Sequence, residues 1–101
     1  MQATYSQAQV ISIKRVAKII GNANNLLILY ELMNFGEKSF NELKRMTGIN
    51  AVTLSKKLSA LKAEGIVDCQ ACGTERRYSV TTAADELRPL IEDIQRVAFK
   101  N

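Results

Sequence analysis

Only Ile49 and Asn50 stand between a helical pattern that runs out at Thr47-Gly48 and another that begins at Ala51, and this short link constrains the fold more than any other feature of the chain. The upstream pattern opens at Ser39 with Glu42 three positions on, a capping box in which each side chain satisfies a backbone N–H that the first helical turn leaves unpaired. It carries Phe40, Leu43 and Met46 at helical spacing. Downstream, Asn50 suits an N-cap, and Leu54, Leu58 and Leu61 follow at steps of four and three before Gly65 stops the run. Two helices joined so tightly must cross steeply, the geometry of a helix-turn-helix. Residues 66–71 then read as a strand, 72–75 as a turn around Gly73, and 76–81 as the returning strand.

Three further helices frame this module. Residues 6–20 place Val10, Ile13, Val16, Ala17 and Ile20 on one stripe. Residues 23–34 are apolar over a broad arc (Leu26, Leu27, Leu29, Tyr30, Leu32, Met33), which marks the centre of the core, and Gly36 closes them. Thr82 with Asp85 repeats the capping-box pattern, so a last helix is expected over 83–99, bent where Pro89 removes a backbone hydrogen bond two turns in. The order α-α-α-α-β-β-α predicts a mainly α fold with a small β-hairpin wing. This is a winged helix-turn-helix with N- and C-terminal dimerisation helices, one domain over 1–101 with a reading module at about 23–81.

Charge distribution says more than the net +4. Residues 38–77 hold eight basic and four acidic side chains, and residues 1–21 add Lys14, Arg15 and Lys18 with no acid. Residues 22–37 and 82–101 are net negative. Positive charge thus gathers on the helix-turn-helix and the first helix, as a polyanionic partner requires. No apolar run approaches the ~20 residues of a spanning helix and no signal-peptide layout is present, so a soluble, cytoplasmic protein is expected. With no histidine, no Gly-rich phosphate loop and no nucleophile beside a base, the chain reads as neither an enzyme nor a cofactor or metal protein.

Projecting 51–64 at about 100° per residue, with Leu54, Leu58 and Leu61 inward, turns Val52, Lys56, Ser59 and Ala63 outward, flanked by Thr53, Ser55 and Ala60. Small hydroxyl-bearing side chains with one cation let a helix lie deep in a major groove. There Ser and Thr bond phosphates or bases, Val52 meets a thymine methyl and Lys56 reaches phosphate or guanine. Asn50 and the amides of the first turn suit a phosphate at the positive helix end, and Ser39 joins the candidate DNA contacts. Arg76 and Arg77 descend from the wing tip, where a guanidinium fits phosphate or a narrow minor groove. Alternation puts Arg76 on the core side with Tyr78 and Val80, so Arg77 is expected to be the one that projects freely.

Cys69 and Cys72 form a CxxC at a strand end. Zinc would need four ligands, so the pair is left as two reduced thiols or as a structural or redox-switching disulfide. The last helix carries Leu87, Leu90, Ile91, Ile94 and Val97 in a heptad-like seam. With Val10 and Ile13 of the first stripe, this seam is expected to pair two copies of the chain about a two-fold axis, spacing two reading helices by about one DNA turn, ~34 Å, as a palindromic operator demands. The competing reading is a winged helix used as a protein-interaction module in a transcription or repair assembly. The basic hairpin and hydroxyl-rich helix face weigh against it, since protein-binding faces display aromatic or aliphatic anchors.

The string also resembles a known family. Leu26-Leu27-Ile28-Leu29, Phe40-Asn41-Glu42-Leu43, Gly48-Ile49, Thr53-Leu54-Ser55, Leu58, Leu61, Glu64-Gly65-Ile66-Val67, Tyr78-Ser79-Val80-Thr81 and Leu87-Arg88-Pro89-Leu90 are similar to HxlR-type winged-helix regulators, relatives of the MarR and ArsR families. The match covers about residues 16–98. It implies a dimeric prokaryotic transcription factor, usually a repressor, that binds operator DNA through helix and wing. Two departures mark a divergent member. Oxidant-sensing relatives typically use an N-terminal cysteine, whereas none precedes Cys69 here; and Asn24-Asn25 replaces a common Lys-Trp.

Overall fold

The first four helices each begin where a side chain can stand in for the missing turn. In the computed structural model, which describes residues 5–100 apart from the Cys72 side chain, α1 (Gln7–Ile20) starts on Ser6 with a complete Ser6/Gln9 capping box. Asn22 Oδ1 accepts from Asn24 N and Asn25 N at the head of α2 (Ala23–Phe35). Ser39 and Glu42 cap α3 (Phe40–Thr47) reciprocally, both bonds at 3.1 Å, and Asn50 Oδ1 accepts from Thr53 N at 2.9 Å to open α4 (Ala51–Ala63). Between them Gly48 adopts φ 74°, ψ 8°, the left-handed conformation that ends α3 and redirects the chain within three residues. A Cβ there would meet nothing within 4 Å, so backbone conformation alone selects glycine.

β2 (Val67–Cys72) and β3 (Glu75–Val80) form the hairpin, with Cys72 opposite Glu75 and Val67 opposite Val80. Gly73 (φ 64°) is the first of its two turn residues, the position a type II′ turn reserves for positive φ. A third strand, absent from the sequence expectation, joins the hairpin. β1 (Lys38–Ser39) pairs antiparallel with β3, Lys38 opposite Tyr78 and Ser39 opposite Arg77, giving the order β1-β3-β2. The central strand of the wing is therefore the one that carries the arginines.

Ile28, Leu29 and Leu32 of α2, Leu43 of α3, and Leu54, Leu58 and Leu61 of α4 are at most 2% exposed and form the core. Val67 and Tyr78 cover it from the hairpin. Each such aliphatic side chain contributes roughly 1.5–3 kcal/mol by leaving water, which pins α4 by its inner face and commits its outer face to solvent.

The C-terminal segment departs from expectation. Residues Thr82–Leu87 wind as a 3-10 turn whose preceding cap position, Thr81, makes no side-chain capping bond, and α5 runs from Arg88 to Ala98. Pro89 thus lies in the first turn of a new helix, where its missing N–H has no partner to lose. No mid-helix bend arises. The expected dimer seam also divides. Leu87 and Ile91 are 7% and 3% exposed inside the chain's own core, with Ala84, whereas Leu90, Ile94 and Val97 face outward. On α1, Ile19 alone is buried, and Val10, Ile11, Ile13 and Val16 are exposed. Among the described residues no helix is long and apolar enough to cross a membrane.

Candidate nucleic-acid interface

With Leu54, Leu58 and Leu61 holding α4 from beneath, Val52, Ser55, Lys56, Ser59, Ala60 and Ala63 are exposed and Thr53 is half-buried. Val52, at 66%, is the most exposed large apolar side chain on this face. Asn50 is exposed, but its Oδ1 is engaged by Thr53 N. Only its amide hydrogens remain to reach a phosphate.

Ser39 does not face outward. It is 2% exposed, its Oγ accepts from Glu42 N, and its backbone sits in β1 opposite Arg77. Its role is to start α3, and the expectation of a DNA contact there is corrected.

The two arginines exchange the roles expected of them. Alternation along β3 places Arg76 on the sheet face of Tyr78 and Val80, and Arg77 on the other. What decides freedom is the charge on each face. Arg77 Nε donates to Glu37 Oε1 at 2.5 Å, and Nη1 lies 3.3 Å from Glu75 Oε2 and 3.6 Å from Glu42 Oε1. Its hydrogen bond to Glu37, first, and then the nearby carboxylate charges raise the guanidinium pKa above its ordinary value. Glu42 in turn is pulled below 4.5, chiefly by the Ser39 backbone and side-chain hydrogen bonds, with Arg77 assisting. Arg77 thus clamps the segment before β1 to α3 and the wing. Arg76, beyond the edge of the core, is exposed and has no acidic partner within 4 Å among the described residues.

Arg76 opens onto a cleft of about 380 Å³ between the hairpin, the start of α3 and the outer face of α4, shared with Ser39, Asn41, Ser55, Thr74, Glu75 and Tyr78. Burial pushes the Tyr78 phenol above 10.0, Cys69 across the strand adds to this, and Arg76 opposes it. Sequence reasoning passed over Asn41 and Thr74. Asn41 was legible as a polar side chain in the first turn of α3, at the positive end of a helix; Thr74 only as a turn residue.

The CxxC does not form a clasp. Both cysteines lie on β2, three residues apart. An extended strand separates their Cα atoms by ~10 Å, against the ~4.4–6.8 Å that a disulfide spans. Cys69 is a half-buried free thiol, and the Cys72 side chain lies outside the described residues.

Known proteins resemble this chain in sequence and in fold. The family model for the HxlR-like helix-turn-helix matches residues 19–101. The transcriptional regulator Rv0324 of Mycobacterium tuberculosis is 32% identical over 97 residues, 96% of this chain, although the chain spans only 42% of that protein's length. The Escherichia coli transcriptional regulator YgaV is 31% identical over 84 residues, covering 83% of this chain and 80% of YgaV. Among solved structures, the homodimeric winged helix-turn-helix DNA-binding domain of Mb0332 from Mycobacterium bovis superposes with a TM-score of 0.71 at 32% identity, over 96% of this chain and 90% of that one. With its fold, its exposed helix face and these relatives taken together, the chain belongs to the HxlR-like helix-turn-helix family of DNA-binding transcriptional regulators.

Proposed function

We propose that this chain binds a two-fold symmetric operator as a homodimer and represses transcription there, within the cytoplasm of a prokaryotic cell. In this reading the exposed side chains of α4 enter the major groove, with Val52, Thr53, Ser55, Lys56 and Ser59 toward base edges and near phosphates. Arg76 reaches the flanking backbone or minor groove, and Asn50 and Asn41 donate to phosphates at the two helix starts. The carrying observation is that Arg76, with no acidic partner within 4 Å among the described residues, lines one cleft with Ser55 of α4 and Asn41 of α3.

Dimerisation is supported by the apolar surface a single chain leaves open. Val10, Ile13 and Val16 of α1 and Leu90, Ile94 and Val97 of α5 are 37–67% exposed. Contiguous apolar surface beyond a few hundred Å² is uncommon on monomers. The Mb0332 domain, similar along nearly the whole chain, is homodimeric.

Selection of bound duplexes from a random pool tests the proposal. The expected outcome is an inverted repeat whose half-site centres lie about 10–10.5 bp apart or a multiple of it, bound by two chains. Enrichment of asymmetric single sites, or none, would refute it.

A further inference from the structure

α1 rests on the remainder of the chain at few points. Ile19 is its one buried residue. Two clefts open beneath it, one of about 250 Å³ toward α2 and α4 and one of about 240 Å³ toward the 3-10 turn at Thr82–Leu87. Arg15, Ile19 and Glu64 line both clefts and so form the partition between them. Within that partition Arg15 Nε and Nη2 both donate to Glu64 Oε2, at 3.2 and 2.9 Å. Glu64 is the C-cap residue of α4. The pair therefore ties the N-terminal helix to the end of the recognition helix.

The near end of α1 is held separately. Asn25, 7% exposed, donates from Nδ2 to Ile19 O at 3.1 Å, giving a carbonyl of the last turn the partner that the helix itself cannot supply. Asn22 Oδ1 accepts from Asn24 N and Asn25 N at the same corner. The corner fixes where α1 meets α2, and Arg15–Glu64, one turn further back, fixes its tilt against α4. Small tilts have large consequences here. α1 has 14 residues, about 21 Å at 1.5 Å per residue, so a rotation of about 10° at the corner moves its far end roughly 3.6 Å. One base pair rises about 3.4 Å.

We propose, on the reading above that α1 helps to pair two copies on a two-fold operator, that Arg15 and Glu64 form a strut setting the distance between the two recognition helices. The strut thereby sets the half-site spacing that the dimer accepts. Both are positioning residues and need not touch DNA; they act through α1, whose exposed Val10 and Ile13 face away from the chain's own core. Exposed ion pairs contribute little to folding stability, so loss of this one alters where the helix rests more than whether the chain folds.

Amide hydrogen exchange on the DNA-free protein tests the strut without the operator reading. Arg15→Glu should speed exchange over residues 11–20 about two- to fivefold, the range an exposed pair supplies. The charge swap, Arg15→Glu with Glu64→Arg, should restore the parent rate. Unchanged exchange in Arg15→Glu, or a swap no slower than the single variant, would overturn the strut. Fluorescence anisotropy then compares the selected operator with copies whose half-sites are one base pair closer or farther apart. The parent should lose about tenfold or more on the altered copies, Arg15→Glu about two- to fivefold less than the parent, and the swap as much as the parent. Each loss is a ratio within one protein, so a change in overall charge cancels. Equal losses in all three proteins would overturn the spacing role even where exchange supports the contact. If selection yields no inverted repeat, the operator reading fails and the spacing role with it, while exchange still decides the strut.

Discussion

Replacing Arg76 and Arg77 by alanine, one at a time, separates a DNA contact from a structural clamp although the residues are adjacent and alike. Each substitution removes one positive charge, so net charge and long-range steering change equally. The structure assigns the difference to local partners. Arg76 is exposed with no carboxylate within 4 Å among the described residues, while Arg77 is engaged by Glu37, Glu42 and Glu75. A cation that neutralises a phosphate releases condensed counterions, and each such contact contributes about 0.9 to the slope of log affinity against log salt on duplex DNA. Arg76→Ala should therefore flatten the slope by about 0.9 per chain, about 1.8 for a dimer on its operator, and weaken binding most at low salt. Arg77→Ala should leave the slope within error of the parent while lowering the melting temperature, because Glu37, Glu42 and Glu75 then repel without a counter-charge. Fluorescence anisotropy on a labelled operator between about 50 and 200 mM salt reads the slopes, and thermal unfolding reads the stability. If Arg77→Ala flattens the slope and Arg76→Ala does not, the assignment is wrong.

Further expectations follow from the same geometry. Leu54→Ala empties a fully buried position beneath the recognition helix and should cost about 2–5 kcal/mol in denaturant unfolding; a loss under 1 kcal/mol would show that α4 is not anchored there. Gly48→Ala, forced into a left-handed conformation with open space around it, should destabilise by about 1–2 kcal/mol without a steric component. Glu42 has its pKa lowered in the folded state, so its contribution is present above about 4.5 and lost as pH falls through the folded value. The melting temperature should drop in that window, and Ser39→Ala should flatten only part of the drop, since it removes the side-chain hydrogen bond while the backbone N–H of residue 39 still donates to the carboxylate. Ile94→Glu with Val97→Glu should shift sedimentation toward the monomer and abolish operator binding with the fold intact by circular dichroism.

Much of this fold was legible because the helices are punctuated by short-range chemistry. Ser6, Asn22, Ser39 and Asn50 each cap the helix that follows, and the two-residue hairpin turn falls on the glycine. What escaped was set by partners distant in sequence. Lys38–Ser39 has no strand pattern of its own; it becomes a strand because Arg77 and Tyr78 offer it a free edge. Thr82 and Asp85 spell a capping box, yet the chain winds more tightly there and lets Pro89 begin a helix, the arrangement that leaves no N–H missing. The pairing of Arg77 depended on Glu37, forty positions away, whose side of the sheet was invisible until β1 existed. The exposed face of α4, by contrast, was fixed by three leucines at steps of four and three.

Chemical-shift mapping of the nitrogen-15-labelled protein with its selected operator tests the central claim most directly. The amides of residues 50–59 on α4 and of 73–76 at the wing tip should shift most, with smaller changes at the start of α3. Largest shifts along the outer faces of α1 and α5, with α4 unmoved, would contradict the account.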